Sequence, residues 1–247
     1  MNLENEPLPA DLRIAFARVI HELDAYIESS WQTLGKNSWR KPDGSPVGDL
    51  DHAIEAYARS LVSTHLPDFE FIGEESVLPE ERLGNYFFID PVDGTENFIS
   101  GLPLWGTGIA LMQEDQLVFS WVCFPEMNLE FASRQITDLI DCKRNRFRHS
   151  QTRTRIRAYS SNSDWSSVGL ELSGEIRVLG CSLLNITLAA HEAVDFKSSA
   201  KGARVWDILP PILFALEAGK RVLVNEEEYR GQFLDPNSRF VVEIQNS

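Results

Sequence analysis

Leu12, Phe16, Val19, Ile20, Leu23, Ile27 and Trp31 recur at steps of three and four residues, which predicts an amphipathic helix over about 9–31. Pro9 suits its first turn. A second such stripe, Ile54, Tyr57, Ala58, Leu61 and Val62, predicts a helix over about 51–64. Between the two lies a polar loop, 35–48, in which Lys41-Pro42-Asp43-Gly44-Ser45-Pro46 carries strong turn signals. The pattern then shortens. Residues 69–72 alternate as a strand, and the apolar run 86–89 reads as another that Pro91 and Gly94 would end. The runs 108–112, 117–124 and 129–132 follow with little helical signal between them, so antiparallel hairpins are expected. Trp105, Trp121 and Phe124 read as core aromatics.

The second half alternates. Strands are expected at 156–159 and 176–179 with a helix over 163–172 between them, then a helix capped by Ser182 and running to about 193. A strand-like segment over 194–196 precedes a helix over about 210–218 ended by Gly219, and 221–224 and 240–244 close a sheet. Each Pro disfavours helical geometry in the residue before it, so Pro210 and Pro211 place that last helix start near 210, with Asp207 on a turn ahead of it. A boundary near 148–155 would divide the chain into halves 1–150 and 151–247, which need not fold separately.

Composition narrows the function classes. Of 247 residues 43% are hydrophobic, enough for a sizeable core, yet no run approaches the ~20 apolar residues of a membrane helix. The acidic N-terminus lacks a basic region followed by an apolar one, so no signal peptide is expected. Cys123, Cys142 and Cys181 are odd in number and far apart, which argues for reduced thiols in a cytoplasmic protein. A net charge of −14 repels nucleic acid. It equally repels a phosphorylated metabolite unless a cation bridges the two.

That cation has candidate ligands. In Ile89-Asp90-Pro91-Val92-Asp93-Gly94-Thr95-Glu96-Asn97-Phe98, two carboxylates three residues apart leave the end of a strand, beside the hydroxyl of Thr95. Carboxylate oxygens suit hard divalent cations, and the N–H groups of Gly94 and Thr95 would open a short helix where a phosphate can sit. The plain alternative is a turn with two solvated carboxylates, since these residue types are common in turns. Asp49 and Asp51 could likewise be simple helix caps, and Glu74-Glu75 surface decoration. Yet Asp51, Glu74, Asp90, Asp93 and Asp207 all stand at the edge of a regular element next to a turn or Gly. Five carboxylates that converged would tolerate one another only with cations between them.

Taken together these segments resemble the inositol monophosphatase family of lithium-sensitive Mg²⁺ phosphatases. The stretch 90–98 resembles its D-P-[IVL]-D-G-T-x-N-F signature, and Ile72-Gly73-Glu74-Glu75-Ser76 its G-E-E segment. Val205-Trp206-Asp207 is similar to its W-D element and Glu217-Ala218-Gly219 to its E-A-G, while Val47 through Asp51 with Glu55 fits V-T-x-x-D-x-x-x-E. The resemblance implies a layered α-β-α-β-α sandwich of mixed α/β class, commonly a homodimer. It implies a phosphomonoesterase that hydrolyses a small phosphorylated metabolite by attack of an activated water, with two or three Mg²⁺ per site. Glu74, Asp90, the Val92 carbonyl, Asp93 and Asp207 would be metal ligands. Asp51 and Thr95, with Glu74, would activate the water, and Gly94, Thr95, Asp93 and Asp207 would hold substrate.

Three departures qualify this. Gly48 stands where the family has Thr, Ile208-Leu209-Pro210-Pro211 replaces small residues, and Phe196 to Lys201 lacks the Glu that inositol phosphatases use on sugar hydroxyls. Inositol monophosphate, histidinol phosphate and 3′-phosphoadenosine 5′-phosphate all stay open as substrates. A metal-binding relative without turnover is the alternative of another class.

Overall fold

The computed structural model describes residues 8–34, 37–42, 44, 46–76, 84–140, 156–161, 175–191 and 194–245. The expected helix over 163–172 and Cys142 lie outside them. Helix α1 (Ala10–Ser30) buries Phe16, Val19, Ile20, Leu23 and Ile27, the face that the periodicity predicts. The polar loop instead contains an antiparallel hairpin of β1 (Ser38–Arg40) and β2 (Pro46–Gly48). Three residues are too few to show an alternation, and β1 is exposed throughout, which is why the pattern hides them. Helix α2 (Asp49–His65) starts two residues early, because Gly48 at its N-cap is extended and Asp51 accepts the Gly48 N–H at 3.0 Å.

A five-stranded sheet follows in the order β3 (Glu70–Gly73), β4 (Tyr86–Asp93), β5 (Gly106–Gln113), β6 (Gln116–Phe124), β7 (Leu129–Ala132). β3 runs parallel to β4, and the remaining neighbours are the antiparallel hairpins expected. β4 does not stop at Pro91: it continues to Asp93 through a register shift against β5. Pro91 is tolerated at this irregularity, where its missing N–H leaves no gap in a regular ladder, and its carbonyl accepts the Thr107 hydroxyl at 2.7 Å. Short α3 (Thr95–Ile99) opens after Gly94, whose φ of +86° requires glycine.

The second sheet is mixed, in the order β12-β11-β13-β10-β8-β9, with β8 (Ile156–Tyr159), β9 (Glu175–Arg177), β10 (Val194–Lys197), β11 (Arg221–Val224), β12 (Glu227–Glu228) and β13 (Val242–Gln245). Between the sheets pack α4 (Ser182–His191) and α5 (Val205–Glu217). Phe87, Ile89 and Trp121 face α1 and α2, whereas Phe88, Ala110 and Val122 face α4 and α5. The described residues thus stack as helices, sheet, helices, sheet. Among them no helix is long and apolar enough to cross a membrane.

The start of α5 corrects the sequence expectation. The helix begins at Val205, not near 210, and contains both prolines. An interior proline costs about 3 kcal/mol through its lost N–H and its ring. Ile208, Leu209, Ile212, Leu213 and Phe214 are all buried around them. Each such side chain contributes roughly 1.5–3 kcal/mol, so the packing outweighs the broken helical bonds.

Candidate active site

The parallel register of β3 and β4 does the first part of the assembly. Gly73 pairs with Ile89, so Glu74 and Asp90 leave adjacent strands side by side. Asp90 is 1% exposed, and its Oδ1 has no hydrogen-bond partner. Burial, then the nearby charges of Glu74, Asp93 and Asp207, push its carboxyl well above the usual range.

Asp93 is held from the other side of the sheet. Its Oδ2 accepts the Leu183 N–H at 2.5 Å, at the start of α4, and the Cys181 thiol at 3.1 Å. Burial pushes it up to about 6 against these donors. Asp207 reaches the cluster from the first turn of α5, where its Oδ2 accepts the Arg204 N–H at 2.7 Å. Burial first, then Asp93 and Glu74, raise it to about 7.

Asp51 completes the cluster from α2. One oxygen caps Gly48, as the plain alternative expects, and the other lies 3.5 Å from the Thr95 hydroxyl. That hydroxyl is also 2.9 Å from the Val92 carbonyl. Burial, followed by Glu74, raises Asp51 to about 7. A Cβ on Gly94 would stand 2.8 Å from the Leu104 carbonyl, so glycine alone lets the loop lie this close.

Asp51, Glu74, Asp90, Asp93, Thr95 and Asp207 therefore lie in one region, while Asp49 turns away to accept the Asn37 amide at 2.9 Å. Among the described residues, however, no three His, Cys, Asp or Glu side chains form a closed metal-ligand group. Part of the charge is met by Lys41, which the sequence reading passed over. Its ammonium bridges Glu74 Oε1 at 2.7 Å and Glu75 Oε1 at 2.5 Å from the β1–β2 turn. Cys181 was missed too, because nothing in an isolated Cys before an apolar helix signals a carboxylate partner. A cavity of about 140 Å³ opens beside the cluster, lined by Asp93, Cys181, Ser182, Asn185, Asp207 and Arg239 among others. The Asn185 Oδ1 is buried without a partner.

Comparison with known proteins sets this mixed α/β sandwich, with its clustered carboxylates at strand ends and helix starts, among the phosphoric monoester hydrolases. The chain belongs to the inositol monophosphatase family, whose model matches residues 8–245. It is similar to a histidinol-phosphatase of Mycobacterium tuberculosis, at 27% identity over 74% of this chain and 75% of that one. A histidinol-phosphatase of Streptomyces coelicolor is 29% identical over 85% of this chain and 84% of that protein. Among solved structures, an IMPase/NADP phosphatase complexed with Mg²⁺ and phosphate superimposes with a TM-score of 0.73 at 16% identity, covering 92% and 87% of the two chains.

Proposed function

We propose that this phosphatase is Mg²⁺-dependent and uses the cluster around Asp90 as its metal centre. The observation that carries the reading is the unpartnered, fully buried Oδ1 of Asp90 among Glu74, Asp93 and Asp207. An all-oxygen donor set of this kind suits a hard divalent cation, so the residues present fit the group. Glu74, Asp90, the Val92 carbonyl, Asp93 and Asp207 are the ligands of the proposal. Bound Mg²⁺ supplies charge neutralisation for the ester and lowers the pKa of water near it.

The chain's own residues do the rest. The Thr95 hydroxyl, between Asp51 and the Val92 carbonyl, orients the attacking water, and Asp51 takes up its proton. Burial and the Glu74 charge raise this carboxyl in the cation-free cluster, and a cation on Glu74 would draw it back toward the ionised form that accepts a proton. The backbone at Gly94 and Thr95 holds the phosphate. The leaving alcohol occupies the cavity beside Asp93 and Asp207, whose volume of about 140 Å³ suits a small metabolite. Two relatives named histidinol-phosphatase support histidinol phosphate as the first substrate to assay, ahead of inositol monophosphate.

The halves are read as one unit, supported by a core cluster that joins β4–β7 to the second sheet. The free thiols of Cys123 and Cys181 support a cytoplasmic setting, and a homodimer rests on the family resemblance. The test is inorganic phosphate release from histidinol, inositol, sugar and nucleotide phosphates with Mg²⁺, against an Asp93→Asn control. Release lost in the control supports the reading. Release that needs no divalent ion would reject it.

A further inference from the structure

Glu55 is a buried carboxylate, 5% exposed, on the face of α2 that looks toward the Glu74 turn. The chemistry above gives it no role. Its Oε2 accepts the backbone N–H of Glu75 at 2.8 Å, and its Oε1 accepts the Ser76 hydroxyl. Arg59, one helical turn on, stands 3.7 Å from the same carboxylate, bonds the Ser76 hydroxyl and lies 4.2 Å over the Phe71 ring. Gly73 completes the arrangement, because a Cβ there would collide with the Glu55 carboxylate. The turn that presents Glu74 is thus fastened from beneath through Glu75 and Ser76, with Gly73 packed on the same carboxylate, while the side chain of Glu74 faces the cluster.

We propose that Glu55 is a positioning residue that fixes Glu74 as a metal ligand by holding the Gly73–Ser76 turn. The inference rests on the metal-centre reading above. Glu74 follows a four-residue strand, and apart from this fastening the described residues hold its turn by the pairing of Gly73 with Ile89 and a 3.3 Å bond from the Ser76 N–H to the Gly73 carbonyl, with Lys41 on the Glu74 side chain. Both bonds ask Glu55 for an acceptor; Gln keeps the one from the Glu75 N–H and reverses the other, its amide donating to the Ser76 oxygen, so it preserves the fastening while removing the charge that faces Arg59.

The experiment is calorimetric titration of MgCl₂ into the metal-free wild type, Glu55→Ala, Glu55→Gln and Ser76→Ala, with unfolding midpoints measured alongside. Outer partners of metal ligands typically change affinity by about 10–100-fold. Glu55→Ala should therefore bind Mg²⁺ at least about tenfold more weakly, with Glu55→Gln within about threefold of wild type. Affinity in Glu55→Ala equal to wild type would overturn the inference, and so would an equal loss in Glu55→Gln, since charge would then be the cause. Should Glu55→Ala not fold, Ser76→Ala decides: weakened binding in a stable protein supports the role, and unchanged binding overturns it. A flat wild-type isotherm would instead strike the metal centre itself, and this inference with it.

Discussion

Replacing Asp207 by Asn should make the metal-free protein more stable while removing its response to Mg²⁺. Asp207 titrates near 7 rather than at the ordinary 3.8, because burial and the charges of Asp93 and Glu74 disfavour its ionised form. A difference of about 3 units at about 1.36 kcal/mol each amounts to some 4 kcal/mol against folding above pH 7. Asp207 lines an open cavity, so water and salt screen part of this, and about half is a fair allowance. Asn keeps the acceptor that caps Arg204, as a weaker neutral bond, which leaves a net gain of about 1–2 kcal/mol. For a chain this size that corresponds to a melting point raised by roughly 3–6 °C at pH 8.

The sign follows from proton binding. The folded protein holds the Asp207 proton more tightly than the unfolded chain, so stability falls as pH rises from about 4 to about 7 and the penalty is complete above that. The gap between variant and wild type should therefore shrink to about a third at pH 5. Thermal unfolding by circular dichroism, in EDTA and then in Mg²⁺, reads all of this. A variant that melts at or below wild type at pH 8 in EDTA, or a gap equal at both pH values, would refute the reasoning.

Asp90→Asn should abolish phosphate release and the thermal shift by Mg²⁺ together, because the orphaned oxygen loses its charge. Thr95→Ala should lower kcat by roughly 10²-fold with Mg²⁺ affinity unchanged, and unaltered turnover would remove that hydroxyl from the chemistry. Gly94→Ala should destabilise by about 1–2 kcal/mol or more, read in urea unfolding, since φ is +86° and the Leu104 carbonyl stands in the way. At Gly48 the φ is ordinary, but a Cβ would lie 3.1 Å from the Asn37 carbonyl. Gly48→Thr should therefore leave Tm unchanged or lower it by a few degrees, as differential scanning fluorimetry would show.

What the sequence disclosed depended on how much of each signal was local. The faces of α1 and α2 followed from periodicity, because each helix buries one side against a single core, whereas β5–β7 showed as apolar runs parted by turns, since this sheet is covered on both faces. The carboxylates were nameable as candidates from their turn-edge positions, but their approach depends on the β3–β4 register and on the first turn of α5, which are tertiary facts. The start of α5 went astray because local proline rules ignored the apolar packing around Ile208 to Phe214. Lys41 on Glu74 and Cys181 on Asp93 are contacts across 33 and 88 residues, and no spacing rule reaches that far. Ser198 belongs to the same class: its hydroxyl accepts the Val242 N–H at 2.8 Å, so this part of the segment lacking a Glu serves the second sheet.

The most direct measurement is equilibrium Mg²⁺ binding to the EDTA-stripped protein, followed calorimetrically beside the Asp90→Asn variant. Saturable uptake by the wild type with at least one ion per chain, lost in the variant, is the expected result. Equal uptake by both proteins, or none by either while phosphate is still released, would contradict a centre built on Asp90.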